Sequence, residues 1–84
     1  MTFTVRVEVR SLDGIADPEG RTIERALPAL GFDGVDSVRV GKVIRFRVDA
    51  EDEAGARAEV EAMCERLLAN PVIEQTEISL SVAE

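Results

Sequence analysis

Residues 63–74 read Met-Cys-Glu-Arg-Leu-Leu-Ala-Asn-Pro-Val-Ile-Glu, and in this stretch a helical pattern changes abruptly into a strand pattern. Leu67 and Leu68 continue the apolar face of a helix. Asn70 favours a left-handed cap, and Pro71 cannot continue the helix because it has no amide hydrogen. The sequence therefore predicts that a helix ends at about Asn70 and that a strand follows.

The residues on either side of this stretch extend both patterns. Acidic side chains are concentrated in residues 49–53, at the expected start of the helix, where the helix dipole favours negative charge. The predicted buried stripe of this helix contains Ala56, Val60, Met63, Cys64 and Leu67. After Pro71, the run at 72–73 and the alternation of Ile78, Leu80 and Val82 with polar residues predict the last strand.

The first third of the chain predicts a strand and then a helix. Phe3, Val5, Val7 and Val9 alternate with polar residues, which is the period of a strand with one buried face.

Asp17 suits the N-cap of a helix and Pro18 its first position. The apolar stripe of this helix is Ile23, Ala26, Leu27 and Leu30. Pro28 interrupts the stripe, so we expect a kink or an early end near Leu27, and Gly31 is expected to provide a left-handed cap.

The middle of the chain predicts a β-hairpin. Residues 35–40 and 43–48 are two β-branched runs, and the pair Gly41-Lys42 between them suits a two-residue type II′ turn. The predicted order is therefore strand, helix, strand, strand, helix, strand. This order favours an α+β fold of βαββαβ topology, with a four-stranded antiparallel sheet and two helices on one face, ferredoxin-like or a relative. Residues 1–84 are expected to form one domain.

The composition predicts self-association. A chain of 84 residues buries too little surface for high stability on its own. Small domains compensate with disulfides, metals or oligomers, but this chain has one cysteine, Cys64, and no histidine. We therefore expect a homodimer or a homotetramer. A single cysteine on an apolar helix stripe also suits a reducing cytoplasm. Because polar and apolar residues alternate at the N-terminus, we expect neither a signal peptide nor a membrane span there.

The chain lacks the patterns of a self-sufficient enzyme. It has no histidine to transfer protons, and Cys64 is expected to be a buried apolar residue rather than a nucleophile. A phosphate-binding loop would need glycine where Asp36 stands and a hydroxyl residue after Lys42. Residues 49–53 lack the spacing of a calcium loop. The sequence therefore predicts no catalytic, cofactor or metal site in this chain.

Charge is distributed unevenly over an acidic molecule of net charge −7. Arginines occupy the polar positions of the first strand and of the strand at 43–48, so the open face of the sheet is predicted to be rich in arginine. A solvated face is the simpler explanation, and an interface is the alternative that the small size favours. The interface residues predicted on this ground, together with the expected turn tip, are Arg6, Arg45, Arg47, Gly41 and Lys42.

Three segments resemble the PurS family, the small subunit of phosphoribosylformylglycinamidine (FGAM) synthase: Asp17-Pro18-Glu19-Gly20, Val38-Arg39-Val40-Gly41-Lys42 and the stretch 63–74. The resemblance implies a homo-oligomeric accessory subunit of purine biosynthesis. It implies a large synthetase partner, which holds ATP and Mg²⁺, and a glutaminase partner, with ammonia passing between them. The combined reaction would convert formylglycinamide ribonucleotide to the amidine.

Two other functions share the predicted fold. An RNA-binding module stacks bases on exposed aromatic residues of its sheet, but this chain has no Trp or Tyr, and Phe3 and Phe46 follow the apolar pattern. We therefore expect no nucleic-acid partner. A regulatory domain that binds a metabolite at a dimer interface stays open as the alternative to the accessory subunit, since such sheets are used in this way.

Overall fold

The computed structural model describes residues 1–83. Three strands and two α-helices alternate along the chain, and each helix is followed by a short turn of a different helical type. In chain order the main elements are β1 Thr2–Ser11, α1 Pro18–Ala26, β2 Gly41–Asp49, α2 Glu53–Met63 and β3 Glu74–Val82. A 3₁₀ turn at Pro28–Leu30 follows α1, and a π-helical turn at Cys64–Leu68 follows α2.

The sheet has the order β2-β1-β3, and both strand pairs are antiparallel. Val5 lies opposite Phe46 on one side and Leu80 on the other, which places the apolar residues of all three strands on the same face. Among residues 1–83, no further strand pairs with the outer edge of β2 or of β3. The sheet therefore has two open edges.

The core lies between this apolar face and α2. Alternate residues of β1, from Phe3 to Val9, are almost completely buried, and Val60 of α2 and Cys64 pack against Val5, Val7 and Val9. The period of two in β1 and the spacing of four between Val60 and Cys64 bring these side chains together. The predicted first strand and the predicted burial of Cys64 are confirmed.

The four-stranded sheet predicted from the sequence is wrong, because residues 35–40 form no strand. Gly34 and Ser37 adopt positive φ angles of 82° and 57°, which extended strands do not contain. The amide of Val38 donates to Glu24 Oε1 at 2.9 Å, and the amide of Val40 donates to Asp17 Oδ2 at 2.8 Å. Carboxylates of α1 and of its N-cap thus accept the hydrogen bonds that a neighbouring strand would otherwise have accepted.

The predicted hairpin turn at Gly41-Lys42 is wrong for the same reason. Both residues belong to β2, where Gly41 lies opposite Arg10 and Lys42 lies opposite Val9. A Cβ atom at position 41 would stand 2.7 Å from the carbonyl oxygen of Val9. Glycine is therefore needed here because two backbones approach closely, and not because the chain turns.

Helix α1 begins and ends as the sequence predicts. Asp17 Oδ1 accepts a hydrogen bond from the amide of Gly20 at 3.0 Å, and Pro18 is the first helical residue. The α-helix ends before Pro28, and Gly31, with a φ of 94°, closes the 3₁₀ turn. The predicted break near Leu27 and the left-handed Gly31 are confirmed. The predicted burial of the apolar stripe is wrong, because Leu30 is 70% exposed.

The end of the second helix differs from the predicted regular α-helix. The amide of Ala69 bonds to the carbonyl of Cys64 at 3.1 Å, five residues back, and this π turn rotates the residues that follow. Leu68 therefore contacts the core, whereas Leu67 is 84% exposed. Asn70 is not left-handed as predicted. Its side chain accepts from the amide of Val72 at 3.1 Å and forms a turn after the helix.

Candidate interaction surfaces

The face of the sheet turned away from α2, which we call the open face, is polar. In β1 it carries the even-numbered residues from Thr2 to Arg10, and these are mostly exposed. The register adds the odd-numbered residues of β2 and β3. The open face consists of Thr2, Thr4, Arg6, Glu8 and Arg10 of β1, Gly41, Val43, Arg45, Arg47 and Asp49 of β2, and Gln75, Glu77, Ser79 and Ser81 of β3.

Two pairs of like charges lie directly opposite each other on the open face. Arg6 faces Arg45 across the β1–β2 pair, and Glu8 faces Glu77 across the β1–β3 pair. Directly opposed like charges destabilise a sheet. The basic pair and the acidic pair lie side by side, so the open face has a basic half toward β2, whereas Glu77 is the one charged residue that β3 adds to this face.

The ion pairs on this face are weak and incomplete. Arg10 reaches Glu77 at 3.5 Å, and Arg6 reaches Glu8 at 3.9 Å, with all four side chains substantially exposed. Within residues 1–83, Arg45 and Arg47 form no ion pair. Exposed pairs of this kind contribute little to stability. The basic half of the face therefore keeps unneutralised charge that an acidic surface can bind.

The structure brings together three of the five predicted interface residues. Arg6, Arg45 and Arg47 share the basic half of the open face. Gly41 lies at the edge of this face, at the beginning of β2. Lys42 lies on the opposite face, next to Val9, and its predicted position at a turn tip is wrong.

Asp17 joins the start of α1 to the chain just before β2. Its carboxylate accepts from the amides of Gly20 and Val40, and Arg39 Nε lies 3.6 Å from Oδ2. The bond from Val40, then the bond from Gly20 and the charge of Arg39, lower the pKa of Asp17 below its usual value, although partial burial opposes them. These contacts keep the carboxylate ionised and fix the position of α1.

A polar cavity of about 430 Å³ lies beside the contacts of Asp17, and it is lined in part by Asp17, Arg21, Glu24 and Arg39. Most of the groups that could bind a ligand there are already occupied. Both oxygens of Asp17 and one oxygen of Glu24 accept backbone amides, and Arg39 also donates to the carbonyl of Ser11 at 3.3 Å. The cavity is therefore explained by the attachment of α1 rather than by a metabolite.

Cys64 is the only cysteine of the chain, and it lies in the core at 6% exposure. Burial raises the pKa of the Cys64 thiol, and a hydrogen bond with Thr76 offsets part of that rise. A thiol that is both buried and protonated at neutral pH is a poor nucleophile. The side chain acts here as an apolar residue of the core.

Two apolar surfaces were not predicted as exposed. The first, which we call the first-helix stripe, is the set of large apolar residues of α1 and of the segment after it. Its members are Ile23, Leu27, Leu30, Phe32 and Val35, and all of them except the half-buried Leu27 are exposed. The second, the apolar groove, runs between β2 and the end of α2. Its apolar lining is Phe46, Ala62, Met63, Leu67 and Leu68, and the charged residues Glu59 and Arg66 also line it. The helical period of Ile23, Leu27 and Leu30 was visible in the sequence. The period could not show that these side chains have at most marginal contact with α2 or with any strand among residues 1–83.

In the described part of the chain, no helix is both long and apolar enough to cross a membrane. Residues 1–83 also bring no three metal-ligating side chains together. What the molecule does offer is a polar sheet face and two exposed apolar surfaces. Fold and surfaces together define a small α+β domain whose exposed apolar surfaces are typical of proteins that bind other protein chains.

Comparisons with known proteins identify the family within this class. The profile of PurS, described as phosphoribosylformylglycinamidine (FGAM) synthase, matches residues 4–82. The PurS subunit of this synthase from Methanocaldococcus jannaschii is 43% identical over 82 residues, which cover 98% of this chain and 99% of the relative. The relative from Methanothermobacter thermautotrophicus is 42% identical over 84 residues. The chain belongs to the PurS family, as the three sequence segments indicated.

Solved structures agree with this assignment. The crystal structure of Methanocaldococcus jannaschii PurS superimposes with a TM-score of 0.87 and covers 98% of this chain and 99% of its own. That protein is described as one of the subunits of formylglycinamide ribonucleotide amidotransferase in the purine biosynthetic pathway. A chain of the PurLQS structure from Thermotoga maritima superimposes with a TM-score of 0.88 at 36% identity and covers 96% of this chain and 99% of its own.

Proposed function

We propose that this chain is the small subunit of FGAM synthase and that it works by assembling the enzyme rather than by carrying an active site. The observation that carries the proposal is the likeness, over nearly the full length, to a chain of the Thermotoga maritima PurLQS structure. In the proposed complex, a PurL-type synthetase uses ATP and Mg²⁺, and a PurQ-type glutaminase releases ammonia. The small subunit supports the transfer of ammonia between them in the cytoplasm.

The chemistry of the described residues is consistent with this division of labour. The one thiol is buried and protonated, the chain has no histidine, and the carboxylates of Asp17 and Glu24 are bonded to backbone amides. The bonds of glutamine and of ATP would therefore be broken by groups of the partner subunits.

The basic half of the open face is the proposed docking surface for an acidic patch on the synthetase. Arg45 and Arg47 are exposed and unpaired among the described residues, and Arg6 faces Arg45 directly. Carboxylates of a partner would relieve that repulsion and bind the guanidinium groups. The opposition of Arg6 and Arg45 weakens the sheet of the free subunit, and contact with the carboxylates of a partner would stabilise the complex.

Self-association is the second part of the proposal. The radius of gyration is 16.5 Å, whereas a compact domain of 84 residues has a value of about 12 Å. Large apolar residues, among them Leu30, Phe32 and Leu67, stay exposed in the single chain. A second copy can bury them, and the subunit is therefore expected to be a homodimer or a homotetramer.

Reconstitution tests the assembly role. Purified PurL and PurQ are mixed with and without this chain, and amidine formation is measured once with glutamine and once with ammonium chloride. Glutamine-driven synthesis should require the chain, whereas ammonia-driven synthesis should proceed without it because free ammonia needs no transfer. Full glutamine-driven activity in the absence of the chain would overturn the proposal.

A further inference from the structure

The turn that joins α2 to β3, which we call the 70–74 turn, is held in place by hydrogen bonds. Asn70 Oδ1 accepts from the amide of Val72 at 3.1 Å, and Glu74 Oε1 accepts from the amide of Asn70 at 2.8 Å. The carbonyl of Asn70 accepts from the amides of Ile73 and Glu74 at 3.1 and 2.7 Å. The carbonyl of Ile73 accepts from the amide of Leu12 at 2.9 Å. The turn is therefore ordered in the free subunit.

The 70–74 turn exposes apolar side chains. Val72 is 78% exposed, and Pro71 and Ile73 are exposed as well. Val72 therefore contributes little to the core of its own chain. Because the turn is already ordered, it loses little conformational entropy when a partner buries Val72, and this favours binding.

A cavity of about 310 Å³ lies beside the 70–74 turn, between α2 and β3. Its lining is partly apolar, from Cys64, Ala69, Pro71 and Ile78, and partly acidic, from Glu61 and Glu65. Both of these glutamates are exposed, and neither forms an ion pair within residues 1–83. Carboxylates four residues apart on a helix repel each other. A cation bound between them would remove that repulsion.

This lining fits one kind of side chain. Arginine and lysine have an aliphatic stem that packs on apolar groups and a cationic head that pairs with carboxylates. A protein that matches this end of the molecule therefore offers an apolar pocket for Val72 and, beside the pocket, a basic side chain for the cavity.

The cavity and the basic half of the open face lie on different sides of the sheet. Thr76 and Ile78 line the cavity on the face of β3 turned toward α2, whereas Arg45 and Arg47 lie on the opposite face of β2. The two surfaces also differ in the sign of their charge. An acidic patch that binds at the arginines would be repelled at the cavity. The two surfaces therefore suit two different partners.

We propose that the 70–74 turn and the cavity beside it form the docking site for the PurQ-type glutaminase. This inference rests on the proposed function, in which the chain joins two partners and the basic half of the open face binds the synthetase. Val72 enters an apolar pocket of the glutaminase, and a lysine or arginine next to that pocket pairs with Glu61 and Glu65. The glutaminase and the synthetase then contact opposite faces of the same small sheet.

Photocross-linking tests this contact directly. A Val72→Cys chain is labelled with benzophenone maleimide, mixed with PurL and PurQ under the conditions of glutamine-driven synthesis and irradiated, and the linked chains are identified by mass spectrometry. Native Cys64 is buried and stays unlabelled. The matched control is Val82→Cys, because Val82 is 54% exposed but lies at the far end of β3, which is about 30 Å long. The label at position 72 should link to PurQ, and the label at position 82 should not.

Substitutions test the chemistry of the site. The tagged chain is immobilised, and the binding of PurL and of PurQ from their mixture is measured separately. Val72→Asp should weaken PurQ binding by at least about tenfold, because it buries an unpaired carboxylate in an apolar pocket, and should leave PurL binding unchanged. Glu65→Arg should also weaken PurQ binding. Val82→Asp and Glu51→Arg are the matched controls outside the cavity and should bind both partners normally.

The outcomes separate the docking site from the proposed function. The docking site is wrong if position 72 links to PurL or to a second copy of this chain, if it links to neither partner, or if Val72→Asp binds PurQ normally. Each of these results leaves the assembly role intact. If the native chain binds neither PurL nor PurQ and glutamine-driven synthesis proceeds without it, the proposed function fails together with the docking site.

Discussion

The opposition of Arg6 and Arg45 leads to a prediction that separates stability from function. Arg45→Glu changes a like-charge pair on the open face into an opposite-charge pair at the same register position. Cross-strand charge pairs contribute about 0.2–1 kcal/mol, and like charges cost a similar amount. Because both side chains are exposed, we expect a net gain of about 0.5–1 kcal/mol. In a domain of this size, that gain raises Tm by about 2–8 °C.

The same substitution should weaken the complex. The change removes one charge contact and adds repulsion from the acidic patch of the partner, so we expect a loss of at least about 1 kcal/mol, which corresponds to roughly fivefold weaker association. The first assay is thermal unfolding followed by circular dichroism at several protein concentrations. The second is glutamine-driven amidine synthesis with PurL and PurQ at a subunit concentration near half-saturation. A subunit that is more stable and yet less active is the expected result.

Arg25→Glu is the matched control, because it changes the net charge by the same amount at an exposed position of α1, away from the open face. It should leave both Tm and the concentration for half-saturation nearly unchanged. If Arg45→Glu lowers Tm, or if Arg25→Glu raises it equally, the argument from the cross-strand register is wrong. If Arg45→Glu raises Tm but binds the partners normally, the open face is not the docking surface.

Three further outcomes are expected from the fold. Val60→Ala removes two methyl groups from the fully buried core and should lower the free energy of unfolding by about 2 kcal/mol. A urea titration measures this loss, and an unchanged free energy of unfolding would contradict the central place of Val60 in the core. Because the pKa of Asp17 is lowered in the fold, its ionised carboxylate stabilises the fold above the usual carboxyl pKa, and this contribution is lost as the pH falls through the lowered value. Asp17→Asn should therefore be less stable than the native chain at pH 7. It should also lose less stability than the native chain on acidification between about pH 5 and pH 2. The Cys64 thiol should react with a disulfide reagent only at the rate of unfolding, and fast modification of the folded protein would show that the core opens there.

Local signals in the sequence predicted much of the fold. The period of two between Phe3 and Val9 identified the central strand, because burial on one face requires apolar residues at alternate positions. The capping carboxylate of Asp17, the ring of Pro18 and the interruption at Pro28 fixed α1 within a residue, because each acts on the backbone of its immediate neighbours. These effects are decided within a few residues of chain.

The errors arose where distant contacts compete with local preference. Residues 35–40 are rich in valine, but a strand needs a partner, and the carboxylates of Asp17 and Glu24 bind the amides of this segment first. The π turn at Cys64–Leu68 left Leu67 exposed while Leu68 contacts the core, because one extra residue in the turn rotates the side chains relative to a regular α-helix.

The positions of the proposed interface residues on the sheet could be predicted in part. The alternation of β1 and β2 placed Arg6, Arg45 and Arg47 on the open face, because strand periodicity alone decides the face. Lys42 was misplaced because the hairpin that would have exposed it does not form. The exposure of the first-helix stripe could not be foreseen, since an amphipathic pattern reports that a face is apolar without stating which chain covers it.

The two unpaired sheet edges have a consequence for how the subunit must be produced. Strands β2 and β3 each have nine residues and contain no proline, and each leaves a row of amide and carbonyl groups unbonded on its outer side. Such rows can template the growth of insoluble fibrils from surplus chains. Expression together with its companions, in matched amounts, should therefore give a higher soluble yield than overproduction of this polypeptide by itself.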